Sequence, residues 1–474
     1  MVNELITLTA VEAVQLLKKG EVTPIEMIDA AMARIEETDG PVNALPTLCA
    51  DRAREHASRL MKDPPRDPPP GYLYGLPIAV KDLKDVKGVR STKGSPIYAD
   101  HIPERSDYLV ETMENNGAVV LAKSNTPEFG AGANTFNEVF GKTRNPWDTR
   151  LTCGGSSGGT AVALATGQIW LGSGSDLGGS LRIPASFCSV VGLRPSPGRV
   201  ASGPRTLPFA TLSVDGPMGR TVGDVALFLD NQSGQHWGDP ISMPAPEIPF
   251  QEAVKKPRTP GRIAFSPDLG IAPVDAEVAE ICARAASQFE KLGATVDEAT
   301  IDVHNAEETF QTLRAAQFVA SYSTLLQKNR DQLKSEIIWN IEKGLQLTSG
   351  QVAEAEVARG ELYHRTMEFF GDYDLLVCPA TSVPPFDVDT RYPTEINGVE
   401  LETYITWSLI TYALTLTACP VISVPCGFTR AGLPVGLQIM APWAREHMLL
   451  SAAAAFEEAS GFTNKLPIDP LVKH

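Results

Sequence analysis

Histidine is scarce in this sequence and poorly placed for chemistry. The seven histidines are His56, His101, His236, His304, His364, His447 and His474, and none lies in a glycine-rich or motif-like setting. A serine nucleophile needs a base within hydrogen-bond reach, and here that base has to be sought in another residue type. Cysteine is thin as well: the seven cysteines are an odd number scattered without metal-type spacing. That pattern argues against a disulfide framework or a cysteine-held metal and fits reduced thiols in a cytoplasmic protein. Positive charge is in deficit, with 41 Lys and Arg against 57 Asp and Glu and a net charge of −16. Nucleic acids and anionic membrane surfaces demand basic patches, so neither is expected as a partner. No basic segment followed by an apolar stretch opens the chain, so no signal peptide is expected, and no internal repeat is apparent. One uncharged stretch, residues 403–429, is long enough to cross a bilayer, but threonines run through it and Pro420 and Pro425 break it. It predicts a buried helix over about 404–417 followed by a central strand near 421–424.

What is present organises the rest. Thr9-Ala-Val-Glu12 and Thr23-Pro-Ile-Glu26 both fit the capping-box pattern, the second with proline at the first helical position, so two N-terminal helices are predicted, separated by Gly20. The proline tract over 64–70 can enter neither a helix interior nor a central strand and reads as a polyproline-like surface loop. Short apolar runs at 78–80 and 119–121 read as buried strands, and helical patterns between such runs predict an α/β fold around a mixed sheet. Residues 231–262, rich in proline and polar residues, read as a connecting excursion. Val274, Val278, Ile281, Cys282, Ala285, Phe289 and Leu292 recur at helical spacing and predict one amphipathic helix before a strand near 294–296. Residues 306–371 read as a largely helical insertion.

The chemistry concentrates in two glycine-set serine segments. Gly154-Gly155-Ser156-Ser157-Gly158-Gly159 is followed by Gly174-Ser175-Asp176-Leu177-Gly178-Gly179-Ser180-Leu181-Arg182. Glycine permits positive φ and lets another group approach main-chain N–H donors closely. A hydroxyl beside such donors is what acyl transfer needs, since the nucleophile and the oxyanion formed by its attack lie within one bond of each other. Upstream, Gly75-Leu76-Pro77-Ile78-Ala79-Val80-Lys81-Asp82 supplies a candidate base. Lys81 follows an apolar strand, which would turn its amine into the interior, and burial lowers a lysine pKa by disfavouring the ammonium form. On its own, a lysine at a strand end is more often a solvated charge.

Taken together these segments resemble the amidase signature family of Ser-cisSer-Lys hydrolases. The likeness continues through Arg144-Asn145-Pro146-Trp147-Asp148, Ser180-Leu181-Arg182-Ile183-Pro184-Ala185, Val191-Gly192-Leu193-Arg194-Pro195, Cys419-Pro420-Val421-Ile422-Ser423-Val424-Pro425 and Gly432-Leu433-Pro434-Val435-Gly436-Leu437-Gln438, nearly the whole chain. The resemblance implies a single amidase-signature domain over 1–474, a central mixed β-sheet covered by helices on both faces, with the 306–371 insertion shaping the pocket. It makes Ser180 the nucleophile, Ser156 the bridging serine after a cis Gly155–Ser156 bond, and Lys81 the base. It places the N–H groups of Leu177, Gly178, Gly179 and Ser180 in the oxyanion hole and Gly130 at a substrate-contacting position. No metal or other cofactor is expected, the partner is a small-molecule amide, and a homodimer stays open.

Competing readings attach to the same residues. Gly154-Gly155-Ser156-Ser157-Gly158 satisfies G-x-S-x-G, which would make Ser156 an α/β-hydrolase nucleophile, but that elbow demands a preceding strand and residues 145–153 read as loop. The absence of a GK[ST] ending removes a P-loop. Cys153 and Cys188 have no nearby base in sequence, and Cys188 suits a small buried residue. Asp176 could serve as a catalytic acid but reads rather as an acceptor that holds the glycine turn, and Arg182, open between a structural partner and a carboxylate-binding group, is taken as structural. For the substrate, the family's glutaminases carry glutamine where Ile183 stands, and an acidic residue where 403–417 has none. Tyr404, Trp407, Leu409, Ile410 and Tyr412 suggest an apolar or aromatic pocket. The expectation is an acylamidase for alkyl or aryl amides, with carbamates and esters as side substrates, the alternative being the glutaminase-type component of a larger amidotransferase assembly.

Overall fold

The computed structural model describes residues 2–473. Both capping boxes form: Thr9 and Thr23 accept from the backbone N–H groups of Glu12 and Glu26, whose carboxylates reach back to the threonine amides, and the helices run over Ala10–Lys19 and Pro24–Val42. Gly20 closes the first in the left-handed conformation, φ 70°.

Eleven strands make the central sheet: β1 (Thr47–Leu48), β2 (Pro77–Lys81), β3 (Val119–Ser124), β4 (Leu171–Asp176), β5 (Val191–Arg194), β6 (Val214–Gly219), β7 (Arg262–Phe265), β8 (Thr295–Glu298), β9 (Leu375–Pro379), β10 (Val421–Phe428) and β11 (Pro434–Met440). Their spatial order is β1-β3-β2-β4-β6-β5-β10-β11-β9-β7-β8. The sheet is mixed. β2 pairs in parallel with β3 and β4, and β7 with β8 and β9, while the remaining neighbours are antiparallel. β2 and β3 are buried at every position, which is why both read as continuous apolar runs. Helices flank the sheet; Gly158–Ala165, Val222–Gln232 and Glu446–Ser460 pack on β4, β6 and β10 respectively. Among the described residues no helix is long and apolar enough to cross a membrane.

Several local expectations change. The amphipathic helix expected over 274–292 is two segments, Ala276–Ala286 and Gln288–Lys291, because Ser287 (ψ −14°) tightens the turn between them. The helix expected over 404–417 is shorter, a 3₁₀ turn at Thr406–Ser408 leading into Leu409–Thr415. The Ser408 hydroxyl donates to the carbonyl of Ile405, and such local bonding competes with a regular helical start. The excursion over 231–262 contains a short helix, Phe250–Lys255. Residues 145–153 are not loop throughout: Arg144–Asn145 and Asp148–Thr152 form an antiparallel ribbon. This ribbon stands outside the central sheet, so it does not supply the sheet strand that a nucleophile elbow needs.

Candidate active site

Lys81 ends β2 with its side chain buried, 1% exposed. Its Nζ lies 2.7 Å from Ser156 Oγ, 2.9 Å from Ser157 Oγ and 3.0 Å from Ser175 Oγ. Burial pushes its pKa down to about 7, against the opposite pull of Asp215 and Asp176. Beside it, the neighbouring carboxylate of Asp82 is occupied by the buried Lys123 ammonium at 2.7 Å and by the Thr92 amide and hydroxyl. Lys81 therefore has hydroxyls for partners, and among the described residues no carboxylate pairs with it.

The two serine loops meet above this amine. The Gly155–Ser156 peptide bond is cis, the carbonyl of Gly154 accepts from Thr135 Oγ1 at 2.8 Å, and the N–H of Ser157 donates to the carbonyl of Ser180 at 3.1 Å. Ser157 and Ser175 are site residues that the sequence reading passed over. Ser173 and Ser175 alternate on β4 and so share a face, and both turn towards Lys81: Ser173 Oγ accepts from the Lys81 amide at 3.3 Å. That alternation was visible in the sequence. Gly174 between them is required by close packing, since a Cβ there would stand 2.5 Å from Leu181 Cδ2 and 2.7 Å from Ser157 Oγ.

Beyond β4 the chain turns on Asp176. Its carboxylate accepts from the N–H groups of Gly179 (2.9 Å) and Leu181 (3.2 Å), and is gripped by the buried guanidinium groups of Arg182 and Arg194. Burial alone would raise its pKa; the two arginines outweigh that and hold it well below the usual carboxylate range. Arg182 also reaches the carbonyl of Thr411, Gln438 Oε1 and Thr415 Oγ1. Both residues are structural, as expected. One expectation changes: the Gly179 N–H, predicted in the oxyanion hole, is committed to Asp176. The amides of Leu177, Gly178 and Ser180 meet no acceptor among the described residues, and all three residues line the cavity. The Ser180 hydroxyl makes no hydrogen bond to another described residue, so Ser156 and Ser180 share the cavity without being bonded to each other. Gly130 lines the cavity beside Ser156, with φ 70°; a Cβ there would stand 2.9 Å from Leu83 Cδ1 and 3.4 Å from Ser156 Oγ. Cys153 and Cys188 are buried, and burial pushes the first thiol up to about 12 and the second well above its ordinary value, which suits neither to nucleophilic work.

The cavity over the serines has a volume of about 560 Å³. Its aromatic wall comes from Tyr98, Phe129, Phe310, Phe318 and Tyr322 rather than from the expected 403–417 segment, of which only Ile405 faces it. Tyr412 lies behind the wall, stacked on Phe310 at 4.3 Å between centroids. Nor is the cavity purely apolar: Lys84, Lys93, Arg205, Arg314 and Asp215 also line it. Asp215 is its one carboxylate, paired with Lys84 at 2.7 Å and Arg205 at 3.7 Å and accepting from the Ser202 hydroxyl. Among the described residues no cluster of His, Cys, Asp and Glu could hold a metal ion.

The chain is similar to several known proteins. The family model described as Amidase matches residues 26–450. The acylamidase of Rhodococcus erythropolis is 34% identical, with 98% of each chain covered. A glutamyl-tRNA(Gln) amidotransferase component from Moorella thermoacetica is 33% identical, covering 98% of this chain and 99% of the relative. Among solved structures, a bacterial aryl acylamidase belonging to the amidase signature enzymes superimposes with a TM-score of 0.88 at 29% identity, covering 97% of this chain and 99% of the other.

Proposed function

This chain belongs to the amidase signature family of hydrolases acting on amide C–N bonds, and from that premise we propose that it is an acylamidase for alkyl and aryl amides, working through Lys81, Ser156 and Ser180. In this reading residues 1–474 are one domain, and the helices between 306 and 371 build the pocket. The observation that carries the catalytic part is the setting of Lys81 Nζ among three hydroxyls with its pKa near neutrality. A neutral amine has two N–H donors and one lone pair, so one of the three hydroxyls must donate to it. Ser156, the nearest at 2.7 Å, is the natural donor, and this sets the direction of the relay.

Ser180 Oγ attacks the scissile carbonyl carbon after rotating towards Ser156. Its proton passes to Ser156 Oγ as the Ser156 proton passes to Lys81 Nζ, and the C–O bond forms. The carbonyl oxygen takes the negative charge and is held by the amides of Leu177, Gly178 and Ser180, donors fixed in place before the reaction. Collapse breaks the C–N bond, and the leaving amine recovers a proton from Lys81 through Ser156. Water repeats the sequence on the acyl-enzyme and releases the acid.

Identity alone does not separate an acylamidase from an amidotransferase component, since the relatives differ by one per cent. The pocket favours the first. Glutamine's ammonium needs a carboxylate, and the one that lines the cavity, Asp215, already holds Lys84 and Arg205. The aromatic wall offers apolar substrates about 25 cal/mol per Å² removed from water. A turnover screen of anilides, primary amides, carbamates, esters and glutamine tests the reading. kcat/KM for a good anilide or hydrophobic primary amide should exceed that for glutamine by about a hundredfold, roughly 2.7 kcal/mol; comparable efficiency on glutamine would overturn the acylamidase assignment. A fluorophosphonate should label Ser180, and labelling at Ser156 that survives Ser180→Ala would overturn the nucleophile.

A further inference from the structure

Along the Ala306–Asn329 helix, Phe310, Arg314, Phe318 and Leu325 present one face to the cavity. Phe310 marks the catalytic end: a Cβ on Gly178 would stand 3.1 Å from Phe310 Cζ. Arg314 follows one turn later, about 6 Å along the helix axis. It is 4% exposed. Its terminal nitrogens donate to Asn340 Oδ1 and to the Tyr404 hydroxyl, both neutral acceptors, and the guanidinium carbon lies 4.7 Å from the Phe318 ring and 5.4 Å from the Tyr404 ring.

Arg314 differs in one respect from the other cations that line the cavity. Lys84 and Arg205 pair with Asp215, and Lys93 with Asp85 at 3.7 Å. Among the described residues no carboxylate pairs with Arg314, and its Nε donates to no protein atom. A guanidinium does not shed its proton, and a buried charge is costly unless paired. Its fork is shaped for a carboxylate.

We propose that Arg314 is a specificity-determining residue that takes its counterion from the substrate: the preferred amides carry a carboxylate about one helical turn from the scissile carbonyl, with the intervening chain lying along Phe310 and Phe318. The proposal rests on the acylamidase reading for the reaction, but not for the binding. The geometry leaves open which side of the scissile bond bears the carboxylate, so the test carries both arms. One compares monoanilides of succinic, glutaric, adipic and pimelic acids with alkyl anilides of equal length; the other compares carboxyphenyl with phenyl amides of one alkanoic acid.

In the wild-type protein at least one carboxylated member should exceed its uncharged isostere at least tenfold in kcat/KM. Arg314→Met should abolish that preference, so that the ratio of kcat/KM between each carboxylated member and its uncharged isostere falls to about one, and Arg314→Lys should retain part of it. Uncharged isosteres turned over as well or better throughout both arms, or a preference undiminished in Arg314→Met, would overturn the proposal. Should Arg314→Met fail to fold, the wild-type comparison alone decides. Calorimetric binding of pentanoate and hexanoate against 1-pentanol and 1-hexanol, in the wild-type protein and in Arg314→Met and whether or not any anilide is hydrolysed, separates the two readings. At least tenfold tighter binding of a carboxylate, lost in Arg314→Met, supports Arg314 even if the acylamidase reaction fails, and equal binding of carboxylate and alcohol refutes it even if the reaction holds.

Discussion

Lowering the pH through neutrality should switch off catalysis along a curve set by one buried amine. Lys81 titrates near pH 7 because burial disfavours its ammonium form, against about 10.4 for a free lysine, a displacement of roughly 4–5 kcal/mol. If its neutral form is the base, kcat/KM for an anilide should fall about tenfold per unit below pH 7 and run flat above pH 8, because the base is about half neutral at pH 7 and about nine-tenths neutral at pH 8. An unshifted lysine would be neutral in only about one molecule in 2,500 at pH 7, and the rate would still climb tenfold per unit at pH 9. The assay is initial-rate kinetics on an anilide whose own ionisation lies outside pH 5–10, with Lys81→Ala alongside, expected to lose at least about a thousandfold. A profile still rising beyond pH 9, or a Lys81→Ala enzyme that keeps the wild-type profile, would refute the reasoning. Thermal stability is the wrong readout. Between pH 7 and 10 the unfolded chain holds a proton on Lys81 that the native chain lacks, so this site adds stability as pH rises. Glu457, pushed up to about 8 by burial, acts in the opposite sense between pH 4 and 8, since there the native chain holds the extra proton.

Ser156→Ala should slow acylation at least about a hundredfold with KM little changed, because the relay moves a proton without binding substrate; unchanged single-turnover rates would remove it from the mechanism. Gly130→Ala puts a methyl group beside Leu83 and Ser156 Oγ in a left-handed conformation. It should cost about 1–2 kcal/mol of stability and lower kcat/KM more than tenfold, a melt and a rate measurement being sufficient to check both. Asp176→Asn leaves the Arg182 and Arg194 charges buried without their anion and should cost roughly 3–5 kcal/mol in chemical denaturation; a loss under about 1 kcal/mol would contradict the structural role given to Asp176.

The parts of the site that were legible in the sequence are those fixed by short-range rules. Capping boxes, the apolar strand that carries Lys81 and the glycines that frame Ser156 and Ser180 are local signals, and each appears in the fold at its expected place. The pocket wall was misread because a helix face turned to a cavity and one turned to the core share the same periodicity. Phe310 and Phe318 face the cavity while Tyr412 sits behind it, and nothing in the spacing distinguishes them. Arg314 illustrates the same limit from the polar side, for a single charge within a helix reads as solvated until the packing around it is known. The Arg144–Thr152 ribbon escaped notice because one of its strands has only two residues, too few to show alternation. The commitment of the Gly179 amide to Asp176 depends on backbone direction, which residue identity does not encode.

The Asp176–Arg182 anchor also constrains the order of events in biosynthesis. Arg182 holds the turn carrying Ser180 in place by gripping Gln438, 256 residues further along the chain, and the Thr411–Thr415 segment. Strands β10 and β11 enter the middle of the sheet, between β5 and β9, rather than joining its edge. A ribosome that has released the first two hundred residues has already made Lys81, Ser156 and Ser180, the residues of the proposed triad, yet the turn carrying Ser180 has no floor. Contacts of such long sequence separation form late and slowly, so a nascent or C-terminally clipped chain should carry the full catalytic set and remain inert, and hydrolytic activity should emerge in a single step once the last sheet strands are in place.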